Sequence, residues 1–410
     1  MTSNYKRLGD YIEPCDEKNT GNLIKSLKGI SNRKYFQKAK TNTIGVDLSK
    51  YRVVRTGQFA FNRATTRNGD KISIALRKGK DCIVSPSYRI FKSKDENILN
   101  SEYLMMWFRR PEFDRYARFK SHGSAHEFFD YDEMCEVELP IPSIDKQRKI
   151  IKEYKTVVNR VNLNKQLNQK LEETAQALYK HWFVDFEFPS AEGKPYKSSG
   201  GEMIYNEELD KEIPVGWSVE SVKDFSKDMK SGGTPSRTKP HFWNQKDVPW
   251  LKTGEIKNNI IITSREWISK DGLNGSSAKL LPINTVLMSM YGVNAGEIGF
   301  LKFETTTNQA CCGVICERIE ESAYLYYHFL NNQEYNHSQA IGGAQQNLSK
   351  DYIENIKILK PNNDLIYKTP FSSFIDKREN LTKESLTLQG LQSLLLAKMT
   401  KLEVEKELAN

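Results

Sequence analysis

The sequence has few cysteines and no long apolar run, and both absences exclude a class of protein. No stretch reaches the roughly 18 apolar residues that a membrane-spanning helix needs, and the first ten residues have no apolar core like that of a signal peptide. Six cysteines in 410 residues are too sparse for a disulfide framework. We therefore expect a cytoplasmic protein with reduced thiols and no membrane partner. The apolar surroundings of Cys311, Cys312 and Cys316 predict a buried strand in preference to a metal site.

The sequence also lacks the motifs of common enzymes. It has no G-x-x-x-x-G-K-[ST] phosphate loop, no H-E-x-x-H zinc helix and no G-x-S-x-G elbow. His122 and His126 are four residues apart, but the glutamate follows His126 instead of lying between them. The Asn-Pro-Pro-Tyr type motif of amino-methyltransferases is missing, and Glu255-x-Lys257 has no convincing partner aspartate for a nuclease. No motif therefore points to a catalytic residue, a metal or a cofactor in this chain, but missing motifs alone do not exclude an enzyme.

The composition favours two globular domains and a polyanionic partner. A chain of 410 residues has room for two domains of roughly 150 residues each, with chain left over for connecting segments. Its content of 38% hydrophobic and 11% aromatic residues is sufficient for two cores. The formal net charge of +9 favours a nucleic-acid partner, although many basic proteins bind no nucleic acid.

The chain contains an internal duplication with a period of about 220 residues, which is too long for a solenoid. The repeated residues, first copy before second, are Tyr103-Leu104 and Tyr324-Leu325, Pro142 and Pro361, and Gly123-Ser124-Ala125 and Gly343-Ala344-Gln345. Each copy is followed by a long proline-free segment with helical periodicity, over residues 144–182 and 372–408. The pattern predicts two similar α+β units, each followed by a long helix.

Within the first unit, β-rich pieces alternate with polar loops. We predict one helix over residues 101–116 and strands over residues 58–61, 72–76, 81–85 and 136–141. Residues 190–211 are rich in Gly, Ser, Lys and Glu, which predicts an exposed linker. The second unit then opens at Ile213-Pro-Val-Gly-Trp217.

Both long segments have the three-and-four spacing of a coiled-coil seam. The residues that we assign to helix pairing and the subunit interface are Val157, Val161, Leu171, Leu178, Trp182, Leu381, Leu388, Leu395 and Met399. Asn164 and Asn168 interrupt the first seam, and the neighbouring Leu163 and Leu167 predict a phase shift there. Antiparallel pairing of the two helices within one chain is the economical arrangement. Packing of each helix on its own unit, or pairing between two chains, are the alternatives.

Four polar loops carry the residue types that contact nucleic acid. The candidate DNA-binding residues are Arg63, Thr65, Thr66, Arg67, Asn68, Lys120, His122, Ser124 and His126 in the first unit, and Lys230, Ser231, Gly233, Thr234, Ser236, Arg237, Lys239, Gln345, Gln346 and Asn347 in the second. Lysine and arginine neutralise phosphates, and glycines let a backbone approach them closely. Arginine can pair bidentately with guanine, and asparagine with adenine. The same residue types also form ordinary surface turns and helix caps.

Several short motifs, taken in their order along the duplicated chain, resemble the specificity subunit of type I restriction–modification systems. They are Ala177-Leu-Tyr-Lys-His-Trp-Phe-Val-Asp-Phe186 at the end of the first helix, followed by Ile213-Pro-Val-Gly-Trp217, Gly233-Thr-Pro-Ser236, Val248-Pro-Trp-Leu-Lys252 and Gly343-Ala-Gln-Gln-Asn-Leu348. The resemblance covers essentially the whole chain. The first unit departs from it, because it enters at Tyr5-Lys-Arg-Leu8 without a Pro-x-Gly-Trp opening, which predicts a slightly shortened first domain.

The resemblance implies a function that composition alone does not give. Each globular unit is expected to be a target-recognition domain that reads one half of a bipartite, asymmetric site in double-stranded DNA. The paired helices are expected to set the gap between the half-sites and to dock two methylation subunits. Those subunits would bind S-adenosylmethionine, and restriction subunits would bring ATP, Mg²⁺ and cleavage. The chain itself would be non-catalytic.

The expected domain boundaries follow from these segments. They are 1–143 for the first recognition domain, 144–188 for the central helix, 189–212 for the linker, 213–365 for the second recognition domain and 366–410 for the C-terminal helix. Two other functions compete with this prediction. One is a helical adaptor whose basic charge is incidental, and the other is a free-standing nuclease or methyltransferase with an unrecognised site.

Overall fold

The structure is a computed structural model that describes residues 5–39, 45–64, 71–122, 127–340, 347–361 and 363–400. The chain divides into two compact units: the first comprises Met1–Arg160 and Thr387–Asn410, and the second comprises Val161–Leu386. Each unit therefore includes a part of both long helices. Among the described helices, none is long and apolar enough to cross a membrane.

The first unit is α+β, with its helices packed on a small antiparallel sheet. Its strands are β1 (Tyr5–Arg7), β2 (Ile12–Cys15), β3 (Lys28–Ile30), β4 (Phe36–Lys38), β5 (Arg52–Val54), β6 (Phe59–Asn62), β7 (Ile74–Leu76), β8 (Cys82–Val84), β9 (Tyr88–Ser93) and β10 (Glu138–Pro140). Its helices are α1 (Ser101–Phe108), α2 (Pro111–Phe119), α3 (Tyr131–Cys135) and the beginning of α4 (Ile144–Tyr179). The central sheet has the order β2-β9-β6-β7, and β1 pairs separately with β10.

The single helix predicted over residues 101–116 is wrong, because two helices occupy this stretch. Pro111 is the first residue of α2, where its missing N–H costs nothing. Arg110 is extended (φ −73°, ψ 140°), as the residue before a proline prefers to be. The chain must therefore leave the helical conformation between Phe108 and Pro111.

The second unit is larger and is also α+β. Its strands are β11 (Met203–Asn206), β12 (Lys211–Pro214), β13 (Ser218–Ser221), β14 (Asp228–Ser231), β15 (Val248–Leu251), β16 (Asn259–Ile261), β17 (Glu266–Ile268), β18 (Val286–Ser289), β19 (Ile298–Leu301), β20 (Thr306–Thr307), β21 (Cys311–Ile315) and β22 (Lys357–Lys360). Its helices, besides the end of α4, are α5 (Val222–Phe225), α6 (Lys270–Asn274), α7 (Ile319–Asn331), α8 (Gln333–Ser338), α9 (Lys350–Asn355), α10 (Asn363–Lys368) and most of α11 (Phe371–Lys398).

The strand order confirms the duplication. The order β2-β9-β6-β7 in the first unit recurs as β14-β21-β18-β19 in the second, where β16 adds a fifth strand parallel to β19. A separate antiparallel pair precedes each long helix, β1 with β10 and β13 with β22. A buried tyrosine hydroxyl donates to the last strand in each unit, from Tyr103 to the Pro140 carbonyl (3.0 Å) and from Tyr324 to the Leu359 carbonyl (2.6 Å). The two units are therefore copies of one fold.

The two long helices run antiparallel and pair in each unit. In the first unit, Ile151 and Tyr154 of α4 share a buried cluster with Leu396 of α11 and with Met399. In the second unit, Asn164 is bonded to Glu384, Asn168 to Thr382 and Glu172 to Arg378. Successive residues of α4 thus pair with residues of α11 that lie progressively earlier in the sequence. The antiparallel pairing predicted within one chain is therefore confirmed.

The predicted phase shift of the first seam is wrong. Leu163 and Leu167 are 44% and 41% exposed, whereas the side chain of Asn164 is fully buried. Past Leu171 the most deeply buried positions are Ala175, Tyr179 and Phe183, and the assigned Leu178 and Trp182 are only partly buried at the edge of the same cluster. The reason is that polar partners on α11 occupy the middle of the seam, so helical phase continues without interruption.

The other residues assigned to the seam lie on it or beside it. Val157 and Met399 are buried, and Val161, Leu171, Leu381, Leu388 and Leu395 are half-buried. Which of them contribute to an interface with another subunit stays a prediction.

The ends of the helices and the linker differ in detail from the expected segments. One π-helical turn, Lys180–Val184, follows α4, and α10 and α11 divide the second helical segment. Residues 401–410 lie outside the described part of the chain. The segment predicted as a linker contains the β11–β12 hairpin. Phe186 and Phe188 just before it are buried against Ile213, because this aromatic-rich stretch has enough apolar surface to form a small core. The domain boundaries themselves stay a prediction.

Candidate nucleic-acid interface

Two of the loops in the second unit leave its five-stranded sheet at the same end. β14 and β18 both lie antiparallel to β21, with Ser231 opposite Cys312 and Ser289 opposite Cys311. The carboxyl ends of β14 and β18 therefore flank the amino end of β21. The loop after β14 contains five of the ten predicted DNA-binding residues of this unit, and the loop after β18 emerges about two strand spacings away, roughly 10 Å.

Two glycines at the start of the loop after β14 are required by packing inside the unit. A Cβ on Gly232 would lie 2.2 Å from Thr307 Oγ1, and a Cβ on Gly233 would lie 2.3 Å from Ser277 Oγ. Trp250 Nε1 also donates a 3.0 Å hydrogen bond to the Gly233 carbonyl. These contacts alone require glycine at both positions, so approach of a phosphate is not needed to explain them. A contact between Gly233 and DNA stays a prediction.

Arg237, in the same loop, is held over aromatic rings. Its guanidinium carbon lies 3.4 Å from the centre of a Trp243 ring and 5.3 Å from that of Trp250, and Nη2 donates a 2.5 Å hydrogen bond to Glu266 Oε2. Lys252 bonds the other carboxylate oxygen of Glu266. These residues form the cluster that we call the arginine platform: Arg237, Trp243, Trp250, Lys252 and Glu266.

The platform keeps a carboxylate ionised between two cations. Partial burial tends to raise the pKa of Glu266, but hydrogen bonds from Lys252 and Arg237 outweigh it and hold the pKa below its ordinary value. One negative charge is thus shared by two positive side chains, each of which is about half exposed. The platform presents net positive charge at a half-exposed guanidinium, which suits contact with nucleic acid.

The other predicted residues of this loop have partners within the loop or near it. Lys230 Nζ lies 3.4 Å from Asp228 Oδ2, and Ser231 ends β14. Thr234 donates to Gln309 (2.6 Å), and the hydroxyl of Ser236 lies 2.7 Å from that of Thr238. Lys239 Nζ lies 5.0 Å from the Phe242 ring centre. Arg237 is therefore the candidate that the structure fixes most firmly.

The loop after β18 is a part of this surface that the sequence argument missed. It begins at Tyr291, which forms a bridge with the predicted Asn347, and His337 Nδ1 lies 2.7 Å from the carbonyl oxygen of Ala295. Val293 at its tip is 91% exposed. Two glycines with positive φ, at 292 (71°) and 296 (82°), shape the turn. Their spacing is the signal that could have identified a tight loop in the sequence.

In the first unit, two predicted loops are brought together. Ala64 and His122 each form an antiparallel bridge with Phe128, so the segments after β6 and α2 lie on either side of Phe128. Arg63 lies 4.6 Å over the Phe128 ring and bonds Asp130 (3.1 Å). Lys120 caps the carboxyl end of α2.

Asp130 also links this site to the sheet. Arg89, on β9, donates to both carboxylate oxygens of Asp130, at 2.5 and 3.0 Å. Partial burial tends to raise the pKa of Asp130, but the hydrogen bond from Arg89 and other donors lower it overall. A carboxylate therefore fixes an arginine beside an aromatic ring here as well, with Arg63, Asp130 and Phe128 in the roles that Arg237, Glu266 and Trp243 have in the second unit. Sequence reasoning missed Arg89, Asp130 and Phe128, because only the fold brings them to Arg63.

Eight predicted residues cannot be placed in this way. Those that lie outside the described residues are Thr65, Thr66, Arg67, Asn68, Ser124, His126, Gln345 and Gln346.

The cysteine-containing strand was predicted correctly as buried. β21 contains Cys311 and Cys312, both without solvent exposure, and burial raises the pKa of Cys312 to about 12. Within the described ranges, no three His, Cys, Asp or Glu side chains are grouped as metal ligands would be. The buried thiols therefore act as small apolar side chains.

Comparison with known proteins gives a family match in both halves of the chain. The model of the type I restriction modification DNA specificity domain matches residues 10–173 and again residues 214–385. The type I restriction enzyme MjaIX specificity subunit of Methanocaldococcus jannaschii is 28% identical over 306 residues, which cover 73% of this chain and 68% of that protein. The HindI specificity subunit of Haemophilus influenzae is 22% identical over 442 residues, which cover 94% of this chain and 93% of that protein.

A solved structure has the same fold. The crystal structure of the S subunit of a type I restriction–modification system from M. genitalium superposes with a TM-score of 0.57 at 14% identity, over 97% of this chain and 95% of that one. At this identity the similarity concerns the fold, and it agrees with the two α+β units and the paired helices described above.

Proposed function

This chain belongs to the specificity subunits of type I restriction–modification systems, and we propose that it reads a bipartite, asymmetric DNA target. It has two DNA-recognition domains, and each would bind one half-site. The observation that carries the proposal is that one antiparallel sheet occurs twice, while the polar loops at its end differ in sequence and length. Two copies of one fold with different loops suit two short duplex segments of different sequence.

The paired helices would act as the ruler between the half-sites. α4 has 36 residues and is therefore about 54 Å long. Its pairing with α11 is supported by hydrogen bonds and an ion pair in its middle as well as by apolar contacts at Tyr154 and Tyr179. A helix pair that is fixed in register along its length is stiff, which is what a constant spacing on DNA requires.

The chain would act without catalysing a reaction itself. In this proposal, exposed faces of the helix pair dock two methylation subunits, which bind S-adenosylmethionine, and restriction subunits add ATP, Mg²⁺ and cleavage. The contribution of this chain is to position those subunits on double-stranded DNA. Support comes from the family match and from the side chains that the loops expose, such as Arg237 and Lys239.

Mapping of methylated adenines tests the proposed function in one experiment. Cells that express this chain together with its methylation subunit should contain methyl-adenine in two short sequences at a fixed spacing, one on each strand. Cells that express either protein alone are the controls and should lack this pattern. Methylation that does not need this chain, or that marks one continuous sequence, would contradict the proposal.

A further inference from the structure

The arginine platform fixes Arg237 more firmly than a surface arginine is normally fixed. The guanidinium has a ring of Trp243 at 3.4 Å on one side and the carboxylate of Glu266 at 2.5 Å from Nη2, yet 52% of its side chain is exposed. A free arginine side chain loses rotamer entropy when it is ordered. Here the protein has ordered the side chain before any ligand arrives.

The platform is itself tied to the loop that carries Arg237. Trp243 Nε1 donates to the carbonyl of Ser236 (3.2 Å), one residue before Arg237. The Trp243 ring stands at 88° to that of Trp250, with centres 5.1 Å apart. The buried Trp250 indole donates to the Gly233 carbonyl. Both tryptophans are therefore hydrogen-bonded to the loop that carries Arg237. The loop backbone and the tryptophan rings together fix the position of the guanidinium.

The donors of Arg237 that remain suit a pair of parallel acceptors. A guanidinium has five N–H donors in a planar fork, and among the described residues Glu266 is the hydrogen-bond acceptor of this one. Guanine presents O6 and N7 side by side in the major groove. A phosphate also accepts two bonds, but the ionised Glu266 next to the guanidinium repels an anion and does not repel the neutral edge of a base.

We propose that Arg237 reads a guanine in the half-site bound by the second unit, and that Trp243 and Glu266 are the residues that position it. This inference rests on the proposed function, since it names the base that one recognition domain reads.

Two substitutions separate reading from folding. Arg237→Lys keeps the charge but loses the planar fork. Glu266→Gln keeps the shape of the side chain that accepts a hydrogen bond from Arg237 but removes its charge. Each variant is expressed with the methylation subunit, the methylated sequences are mapped, and the assembled complex is titrated with duplexes that differ from the wild-type site at single base pairs.

The expected result is confined to one base pair. Arg237→Lys lowers the preference for one G·C pair, in one half-site only, by about 5-fold to 150-fold. Glu266→Gln lowers the preference at the same pair by a smaller factor, and binding to an unrelated duplex does not weaken, because the complex gains one positive charge. A role in folding alone would weaken binding to all duplexes and would not select a base pair.

Arg318→Lys is the matched control. Arg318 is exposed and stacks on Tyr367 at 4.7 Å, but it follows the carboxyl end of β21 and so lies at the opposite end of the sheet. The Arg318→Lys substitution should therefore leave the methylated sequence unchanged.

Three outcomes would overturn the inference: an unchanged motif with Arg237→Lys, relaxation at a pair other than G·C, or equal relaxation with Arg318→Lys. If Arg237→Lys fails to assemble, Glu266→Gln decides alone, and an unchanged motif counts against the inference. Absence of a bipartite motif with the wild-type chain would instead contradict the proposed function.

Discussion

The side-chain amide of Asn164 donates a 2.9 Å hydrogen bond to Glu384 in the middle of the helix pair. Asn164 has no solvent exposure, and its neighbours in the seam are also polar: Asn168 lies 3.5 Å from Thr382, and Glu172 forms an ion pair with the buried Arg378. Buried polar groups need their partners, so each of these contacts is lost if one helix slides along the other. The polar middle of the seam therefore specifies the register of the helix pair.

Replacing Asn164 with aspartate should destabilise the second unit at neutral pH. The new carboxylate would face that of Glu384 at hydrogen-bond distance in a buried position, and we expect a loss of about 2–4 kcal/mol in the free energy of unfolding. Repulsion raises the folded-state pKa of the new acid above its unfolded value, so the folded state binds more protons. The loss should therefore shrink as the pH falls towards 4.

Asn162→Asp is the control for this prediction. Asn162 is exposed two residues away on the same helix, and this change should alter stability by less than about 0.5 kcal/mol. Urea unfolding at several pH values measures both variants. Equal effects of the two substitutions, or a loss that does not depend on pH, would show that Asn164 is not in the buried seam.

Replacing Gly233 with alanine should destabilise the fold. The added methyl group would overlap Ser277, whose backbone carbon would lie 2.5 Å from it, at an expected loss of about 1–3 kcal/mol. Gly254→Ala, where no atom lies within 4 Å of the added group, should be nearly neutral. Thermal unfolding compares the two, and normal stability combined with weakened DNA binding in Gly233→Ala would contradict the packing explanation and favour a phosphate contact.

Acid should weaken the second unit through His328. Burial lowers the pKa of His328 to about 4, and its Nδ1 lies 3.0 Å from the hydroxyl of Tyr179. Because the unfolded side chain has a pKa near 6.5, the unfolded state binds more protons between these values. Stability should therefore fall by about 2 kcal/mol from this residue as the pH drops from 7.5 to 5.

His328→Gln removes the titrating group and keeps an acceptor for Tyr179. Between pH 7.5 and pH 5, this variant should lose about 2 kcal/mol less of its free energy of unfolding than the wild-type protein loses. At pH 7.5 it should be less stable than the wild type. His241→Gln, at an exposed position of the same unit, should leave the acid sensitivity unchanged. The melting temperature as a function of pH distinguishes them, and identical pH curves for wild type and His328→Gln would contradict the assignment.

Local patterns in the sequence predicted much of the fold. Short β-rich stretches between polar loops located the strands at Phe59–Asn62 and Cys82–Val84, and the repeated Tyr-Leu pairs revealed the duplication. The α4 helix begins at Ile144, where the predicted helical segment begins. These features depend on neighbouring residues, and so one sequence is enough to find them.

Features that depend on distant residues were not predicted. Arg237 and Glu266 are 29 positions apart, and a separation of this size has no local signature. Apolar spacing alone assigned Leu178 and Trp182 to the seam, but Tyr179 is more deeply buried. Rings of both α7 and α11 pack on it, and the spacing within α4 does not show this. The break between α1 and α2 could have been predicted from the sequence, because a proline such as Pro111 inside a predicted helix ends that helix.

The central claim is that the paired helices set the distance between two half-sites. Insertion of one heptad in α4 between Val157 and Leu171, with a matching heptad in α11, adds seven residues to each helix and lengthens the pair by about 10 Å. At 3.4 Å per base pair this corresponds to about three base pairs. Mapping of methylated adenines should then show both half-sites unchanged and the spacer longer by about three base pairs. Methylation that persists with the original spacer would contradict the account.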